Sequence, residues 1–183
     1  MFACLSVGAV LVVIALAVVA LFNRLVVLRN RVDNAWAQIE VQLKQRYDLI
    51  PNLVEVVKGY ASHEKDTLER VVQARNMATS ASGVGAQAQA DNMLTGALKS
   101  LFAVAEAYPD LKANTNFLDL QQKLSEVEQK IAYARQFYND SVMSFNTGIQ
   151  TFPANILAGI FGFTARDYFE AEPAADEAPK VQF

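Results

Sequence analysis

The chain has 183 residues, of which 52% are hydrophobic and 19% charged, and its formal net charge is -3. This length suits one ordinary domain with an additional segment, and it excludes a second large domain. The net negative charge argues against a nucleic-acid-binding protein, and the single cysteine, Cys4, excludes an intramolecular disulfide.

The first element is an uncharged apolar run, residues 5–22, which only Ser6 and Gly8 interrupt. About 18 such residues are enough to cross the hydrocarbon core of a bilayer as a helix, whereas a core helix in a domain this small seldom needs so long an unpatterned run. A cleaved signal peptide is disfavoured because no basic residue precedes the run. We therefore predict a transmembrane helix over residues 5–22, with a short extracytoplasmic N-terminus over residues 1–4.

Three basic residues, Arg24, Arg29 and Arg31, follow the run, while no charged residue precedes it. The positive-inside rule places the flank that is richer in Lys and Arg in the cytoplasm. The expected topology is therefore a single-pass protein of the bacterial inner membrane, with the N-terminus outside and the body in the cytoplasm. The same arginines are expected to attract the lipid bilayer, each by about 1 kcal/mol near an anionic surface.

Beyond the run, apolar residues recur at steps of three and four, which is typical of one long amphipathic helix over residues 23–60. Pro51 interrupts this pattern without shifting its phase, and it is expected to kink the helix near residues 47–50 or to restart it. The apolar positions are Val32, Trp36, Ile39, Leu43, Tyr47, Ile50, Leu53 or Val54, and Val57.

Three further helices are predicted. The second helix is capped by Ser62 and runs to about residue 81. A small, polar stretch over residues 80–90 then suggests a flexible connection. The third helix spans residues 91–107. The strongest periodicity predicts a long fourth helix over residues 116–151. The predicted fold class is all-α: an N-terminal transmembrane helix, then an elongated, antiparallel, coiled-coil-like bundle of two long and two short helices over residues 23–163.

An uncharged apolar segment, residues 152–163, follows the fourth helix and is too short to span a bilayer. It either completes the core of the bundle or docks at the lipid interface or on a partner. The second interpretation makes Ile156, Ile160, Phe161 and Phe163 candidate partner or lipid contacts. Residues 164–183 lack an apolar repeat and are predicted to form a disordered acidic tail.

Two polar residues lie at positions that are unusual for a long helix. Asp48, with Arg46, flanks the expected kink at Pro51, where freed backbone groups need hydrogen bonds, and Asn139 lies in the middle of the fourth helix. Bonds to neighbouring helices are the default explanation, and contact with a partner is the functional one. Asp48 and Asn139 are therefore candidate partner contacts.

Signatures of catalysis are missing from the sequence. His63 is the only histidine, and Thr67 stands where a metalloprotease helix needs a second one. The glycines of Gly83-Val84-Gly85 are not followed by the Lys-Ser/Thr of a phosphate loop. We predict no catalytic, cofactor-binding or metal-binding residues, no cofactor and no small-molecule substrate.

Several stretches of the sequence resemble a known family. Residues 23–75, which include RVDNAWAQIEVQLKQRYDLIPNLVEVV, and the runs YPDLKAN, RQFYND and FPANILAGIFGF are similar to the LemA family of bacterial membrane proteins. The resemblance extends from residue 23 to about residue 170. It implies a helical-bundle body on an N-terminal anchor and no assigned reaction; roles suggested for the family concern cell-envelope stress, membrane proteases and the organisation of membrane compartments.

The anchor, the long amphipathic helices and the missing chemistry lead to three hypotheses. The first is a non-enzymatic scaffold or adaptor of the inner membrane, which presents a helical face to another membrane protein or to a second copy of itself. The second is a membrane-surface association or remodelling protein, in which the arginines and residues 152–163 engage the bilayer. The third, an unrecognised enzyme, has the least support.

Overall fold

The structure is a computed structural model that describes the backbone of residues 2–169 and the side chains of residues 8–169. The described residues form helices only, so the prediction of an all-α helical bundle is confirmed. The predicted acidic tail beyond residue 169 lies outside the described residues. The helices are α1 (Phe2–Tyr60), α2 (Lys65–Ser80), α3 (Val84–Ala105), α4 (Pro109–Lys112), α5 (Thr115–Gln150) and α6 (Ala154–Phe161).

The predicted flexible connection over residues 80–90 is wrong. Helix α3 begins at Val84, so only residues 81–83 separate it from α2. Within this stretch Gln87 is buried, and its Nε2 donates to Tyr47 Oη at 2.7 Å and to the Ala78 carbonyl at 3.1 Å. The small and polar residues of the stretch form a helix because alanine and glutamine are good helix formers and one face packs.

The predicted start of the second helix is also wrong in detail. Glu64, not Ser62, is the N-cap of α2, and no side chain forms a capping hydrogen bond there. At the predicted stop after the third helix, the chain forms the additional short helix α4, with Pro109 in its first turn. Proline suits that position because its missing N–H would have no helical partner.

Pro51 lies inside α1, which continues through it, so the alternative in which Pro51 restarts the helix is wrong. Proline has no N–H, and the carbonyl of Tyr47, four residues earlier, therefore lacks its helical donor. Arg75 of α2 supplies a replacement, since its Nε donates to the Tyr47 carbonyl at 2.9 Å. A side chain from a neighbouring helix thus satisfies the backbone group that Pro51 leaves open.

Arg75→Met is expected to destabilise the protein by about 1.5–3 kcal/mol, the usual loss for a hydrogen bond that involves a charged group. In a Pro51→Ala background the alanine N–H supplies the missing donor. Arg75→Met should then lower the stability by only a fraction of that amount. Urea unfolding of the full chain in detergent, followed by far-UV circular dichroism, measures both losses. Equal losses in the two backgrounds would mean that Arg75 does not act through the Tyr47 carbonyl.

The chain divides into two compact units. Among the described residues, unit 1 comprises residues 2–38 and 136–167, and unit 2 comprises residues 39–135 and 168–169. Unit 1 therefore contains the first part of α1, the last part of α5 and all of α6. Unit 2 contains the remaining parts of α1 and α5 together with α2, α3 and α4.

In unit 2 the two long helices run antiparallel. Asn114, just before α5, donates through its Nδ2 to the Oη of Tyr60, the last residue of α1, at 2.9 Å. The end of α1 is therefore next to the beginning of α5. The core of this unit consists of buried aliphatic residues at helical spacing, among them Ile39, Leu43, Ile50, Leu53, Val57, Val71, Leu94, Leu101 and Ile131.

In unit 1 the first part of α1 packs closely against the end of α5. The rings of Trp36 and Tyr138 have their centroids 5.6 Å apart. Further along, a Cβ on Gly148 would lie 3.0 Å from the Cδ1 of Leu28 and 3.5 Å from the Cδ2 of Leu25. Glycine at this position therefore permits the close approach of the two helices.

Two side chains of α5, Asn146 and Tyr138, bind the backbone of Arg166 and Asp167. Asn146 pairs with both backbone groups of Arg166: its Nδ2 donates to the carbonyl, and the Arg166 N–H donates to its Oδ1, each at 2.9 Å. Tyr138 Oη donates to the carbonyl of Asp167, also at 2.9 Å. The predicted tail thus begins with residues that hydrogen bonds fix in unit 1.

The phenol of Tyr138 can donate this hydrogen bond only while it keeps its proton. Burial raises the pKa of its phenol above the ordinary value; the positive charge of Arg166 opposes this change, while Asp167 and Asp33 add to it. The phenol therefore keeps its proton well into the alkaline range and remains a hydrogen-bond donor.

Candidate functional site

The apolar run forms the first part of α1. Among the described helices, α1 alone is long and apolar enough to cross a membrane. From Gly8 onward, the side chains of the run are nearly all exposed, which is not the state of a core helix. An exposed and uncharged apolar surface of this length is favoured in a lipid bilayer and disfavoured in water.

The three predicted membrane-proximal arginines are exposed on α1 just beyond the run. The guanidinium carbon of Arg29 lies 5.5 Å from the ring centroid of Phe163, and that of Arg31 lies 5.3 Å from the centroid of Phe137. Both distances suit cation–π interactions, which orient the guanidinium groups without neutralising their charge. Positive charge therefore stands at the surface where the apolar run ends.

Helix α6 divides the predicted apolar segment into two faces. Ala154, Leu157 and Ala158 are buried, whereas Ile156 and Ile160 are exposed. One face of the segment thus completes a core, as the first interpretation predicts, and the other face remains accessible, as the second requires. The role of Ile156 and Ile160 as lipid or partner contacts stays a prediction.

Aromatic residues fix the end of α6 beside the end of the apolar run. Phe161 and Phe163 approach the ring of Phe22 edge-on, with centroid distances of 4.8 and 5.9 Å, and Phe163 also lies 6.4 Å from Phe145. Gly162, between them, has a φ of 70°, a left-handed conformation that favours glycine and ends the helix. The exposed face of α6 is therefore held close to the arginines.

The two candidate polar contacts differ in accessibility. Asp48 lies on the surface of unit 2 and forms an exposed ion pair with Lys44 at 3.1 Å. Such a pair contributes little stability, so both groups can bind elsewhere. Asn139 is half-buried and already has an interaction partner within the chain. Neither residue binds the Tyr47 carbonyl that Pro51 leaves without a donor; Arg75 forms that hydrogen bond.

Unit 2 contains a buried charge cluster that the sequence interpretation missed. Asp91 of α3 is 0% exposed, and its two carboxylate oxygens form ion pairs with Arg46 of α1 and Arg135 of α5. Arg46 is 1% exposed and also contacts Oε2 of Glu128 at 2.7 Å and Oγ1 of Thr95 at 3.2 Å. The cluster joins three helices around one carboxylate.

The charge cluster is better suited to a structural role than to ligand binding. Its two arginines are balanced by two carboxylates, so no surplus charge is left for an anionic or cationic ligand. On one side the buried ring of Phe169 lies 4.7 Å from the guanidinium carbon of Arg135. A cluster of this kind is costly to break because Arg46 and Asp91 are fully buried, and loss of either one leaves the other with an uncompensated charge.

A signal for this cluster was present in the sequence. Arg46 lies four residues before Ile50 and three after Leu43, so it occupies a position of the apolar pattern of α1. Asp91 also occupies a position of the apolar pattern of its helix, because it lies three residues before Leu94 of α3. Charged residues at such positions are buried and must be paired, which predicts partners on facing helices.

No metal-binding or catalytic arrangement is seen in the part of the chain that the structure describes. There, no group of three or more His, Cys, Asp or Glu side chains could hold a metal ion. His63, the single histidine, is exposed in the turn between α1 and α2.

The fold and the exposed apolar helix define a class, that of membrane-associated helical-bundle proteins. Comparison with known families makes the assignment specific: the model of the LemA family matches residues 35–183, and the chain belongs to this family. The matched region begins at residue 35, so the apolar run and the three arginines that follow it lie outside the match. The membrane-spanning character of the run is therefore a separate observation.

Individual relatives agree with the family assignment. The chain is 28% identical to magnetosome protein MamQ 2 of Paramagnetospirillum magneticum, over 93% of this chain and 75% of the relative. It is 26% identical to magnetosome protein MamQ of Magnetospirillum gryphiswaldense, over 85% and 66% of the two chains. It is also 31% identical to protein LemA of Metamycoplasma hominis, over 74% and 63%.

Proposed function

We propose that this protein is a non-enzymatic scaffold or adaptor anchored in the bacterial inner membrane. The observation that carries the proposal is the continuity of α1, which runs without a break from the apolar run into the packed helices. A protein bound to the part of α1 beyond the run, where Asp48 lies, is therefore connected to the bilayer by a helix and not by a flexible linker. Such a connection suits holding a partner at a defined distance from the membrane.

The proposed orientation places the body of the protein in the cytoplasm. Arg24, Arg29 and Arg31 follow the apolar run, and the run itself carries no charge. The positive-inside rule then places this flank on the cytoplasmic side. The names of the relatives refer to the magnetosome or to the family and not to a reaction, which supports a structural role.

The scaffold proposal is tested by photo-crosslinking of the full chain in its native membrane. Probes are placed at Asp48 and Tyr133 in unit 2 and at Phe161 in unit 1, all on exposed side chains; Asn139 is not used because it is half-buried. A probe at His63, in a turn, is the control. We expect one protein adduct of defined mass at Asp48 or Tyr133, in greater yield than at His63.

The result also separates the proposed scaffold from the alternative of membrane-surface association. That alternative is favoured by Ile156, Ile160 and Phe161, which are exposed beside the basic end of the run. Lipid adducts at Phe161 with no protein adduct at either site in unit 2 would overturn the scaffold and support surface association. Adducts between two copies of the chain would identify self-association as the scaffolding contact.

A further inference from the structure

Unit 1 contains a groove of about 610 Å³ at the end of the apolar run. One wall is the face of α1 that carries Leu21, Arg24, Leu28 and Arg31, and the opposite wall is the end of α5 with the residues that follow it. The groove is open because that opposite wall is built largely from short side chains. These include Ser144, Thr147, Gly148, Thr151 and Ala154.

The groove carries an unbalanced positive charge. Its lining includes Arg24 and Arg31 and no carboxylate. Residues 2–32 and 141–165, which form this end of unit 1, contain no Asp or Glu at all, although the chain as a whole is acidic. Arg24 and Arg31 make no ion pair or hydrogen bond with any residue that the structure describes, and the Arg31 guanidinium lies over the Phe137 ring. The groove is therefore complementary to an anion.

The groove also carries an uncommitted hydroxyl group. Ser144 and Thr151 donate to the backbone carbonyls of Asp140 and Thr147, at 2.8 and 2.7 Å. The hydroxyl of Thr147 has no such bond within the described residues. It can therefore donate to a ligand that the two arginines attract.

We propose that this groove binds the phosphate headgroup of an anionic phospholipid, with the acyl chains along Leu21 and the apolar run. The proposal rests on the membrane location proposed above. Arg24 lies two residues beyond Phe22, the end of the run, which places it at the depth of lipid phosphates. Arg31 lies about 10 Å further along the helix axis and lines the far end of the groove. Its long, exposed side chain makes no ion pair in the described residues and rests on the Phe137 ring, so it is free to turn toward a bound phosphate.

The test uses the full chain purified in detergent, with native mass spectrometry as the measure of bound lipid. Dioleoyl phosphatidylglycerol, which is anionic, is titrated in parallel with zwitterionic dioleoyl phosphatidylcholine. We expect preferential binding of phosphatidylglycerol, and about fivefold weaker binding of it in each of Arg24→Gln and Arg31→Gln. Arg29→Gln is the matched control, because it removes the same charge from the same helix outside the groove, and it should change the affinity less than twofold.

A fourth variant separates a groove from a diffuse basic surface. Thr147→Trp keeps all three arginines and fills the space between the walls, and we expect it to abolish the preference for phosphatidylglycerol. Circular dichroism checks that each variant, changed only at an exposed position, remains folded. The proposal is overturned if Arg29→Gln weakens binding as much as Arg24→Gln, if Thr147→Trp has no effect, or if the wild type binds both lipids equally.

The proposal on the groove and the scaffold proposal can fail independently. Lipid binding is measured on the purified protein and needs no protein partner. The crosslinks that test the scaffold are read at Asp48 and Tyr133 in unit 2, and neither residue lines the groove.

Discussion

Asp91→Asn is expected to lower the free energy of unfolding by about 3–5 kcal/mol, the largest effect of any single substitution in unit 2. The aspartate is fully buried and neutralises Arg46 and Arg135 at the same time. Asparagine has nearly the same shape, so no cavity forms, but Arg46 then keeps only the half-exposed Glu128 as a carboxylate partner and Arg135 loses its ion pair. The loss arises from the buried charge that remains and not from the missing contact itself.

Urea unfolding of the full chain in detergent measures this loss by far-UV circular dichroism. The fluorescence of Trp36, the one tryptophan, reports on unit 1 and shows whether the loss is confined to unit 2. Asp119→Asn, an exposed position of α5, is the control and should change stability by less than about 0.5 kcal/mol.

A combined variant tests the cause of the loss. Replacing all three charges by apolar residues of similar volume, Arg46→Met, Asp91→Leu and Arg135→Met, is expected to restore most of the stability, because no unpaired buried charge remains. If the combined variant is as unstable as Asp91→Asn, the ion pairs themselves contribute the missing stability.

Leu11→Arg with Ile14→Arg is expected to prevent integration of the protein into the membrane. The run contains twelve Val, Leu, Ile and Phe residues, each favouring insertion by roughly 0.3–0.6 kcal/mol, whereas each arginine near the middle costs about 2.5–3.5 kcal/mol. Two arginines therefore cancel the whole gain. Extraction of membranes with alkaline carbonate measures the outcome: the wild type stays in the membrane pellet, and the variant should leave it.

The matched control places the same two charges on the same helix outside the run. Val27 and Val41 are 64% and 54% exposed, close to the 61% and 53% of Leu11 and Ile14. Val27→Arg with Val41→Arg should therefore leave integration unchanged. If the Leu11 and Ile14 variant also stays in the pellet, the apolar run is not the membrane anchor.

The all-α fold and the positions of its long helices could be predicted from the sequence because they depend on local periodicity. Apolar residues at steps of three and four, from Val32 to Val57 and again from Leu124 to Ile149, are sufficient to define two amphipathic helices. The apolar run could be recognised in the same way, because its length and lack of charge are properties of the chain alone. The candidates Ile156, Ile160 and Phe161 also follow from local composition, and the structure leaves them exposed.

The pairings between helices could not be read from periodicity. The sequence shows that Arg46 and Asp91 occupy the apolar faces of their helices, but it does not show which residue of another helix faces them. Nor does it show that Arg75 replaces the donor missing at Pro51. Periodicity fixes the face of a helix that is buried, whereas the partner of each side chain depends on the rotation and axial register of helices far apart in sequence.

The groove beside the apolar run also depends on a pairing between helices that are far apart in the sequence. Arg24 and Arg31 were identified in the sequence as basic residues at a membrane boundary, and that role required only their position after the run. Their placement opposite Thr147 arises because the end of α5, more than 110 residues later, packs against α1 where Gly148 permits close approach. The sequence by itself determined the long apolar run, the charge that follows it and the helical class; only tertiary packing decided which side chains the charged residues meet.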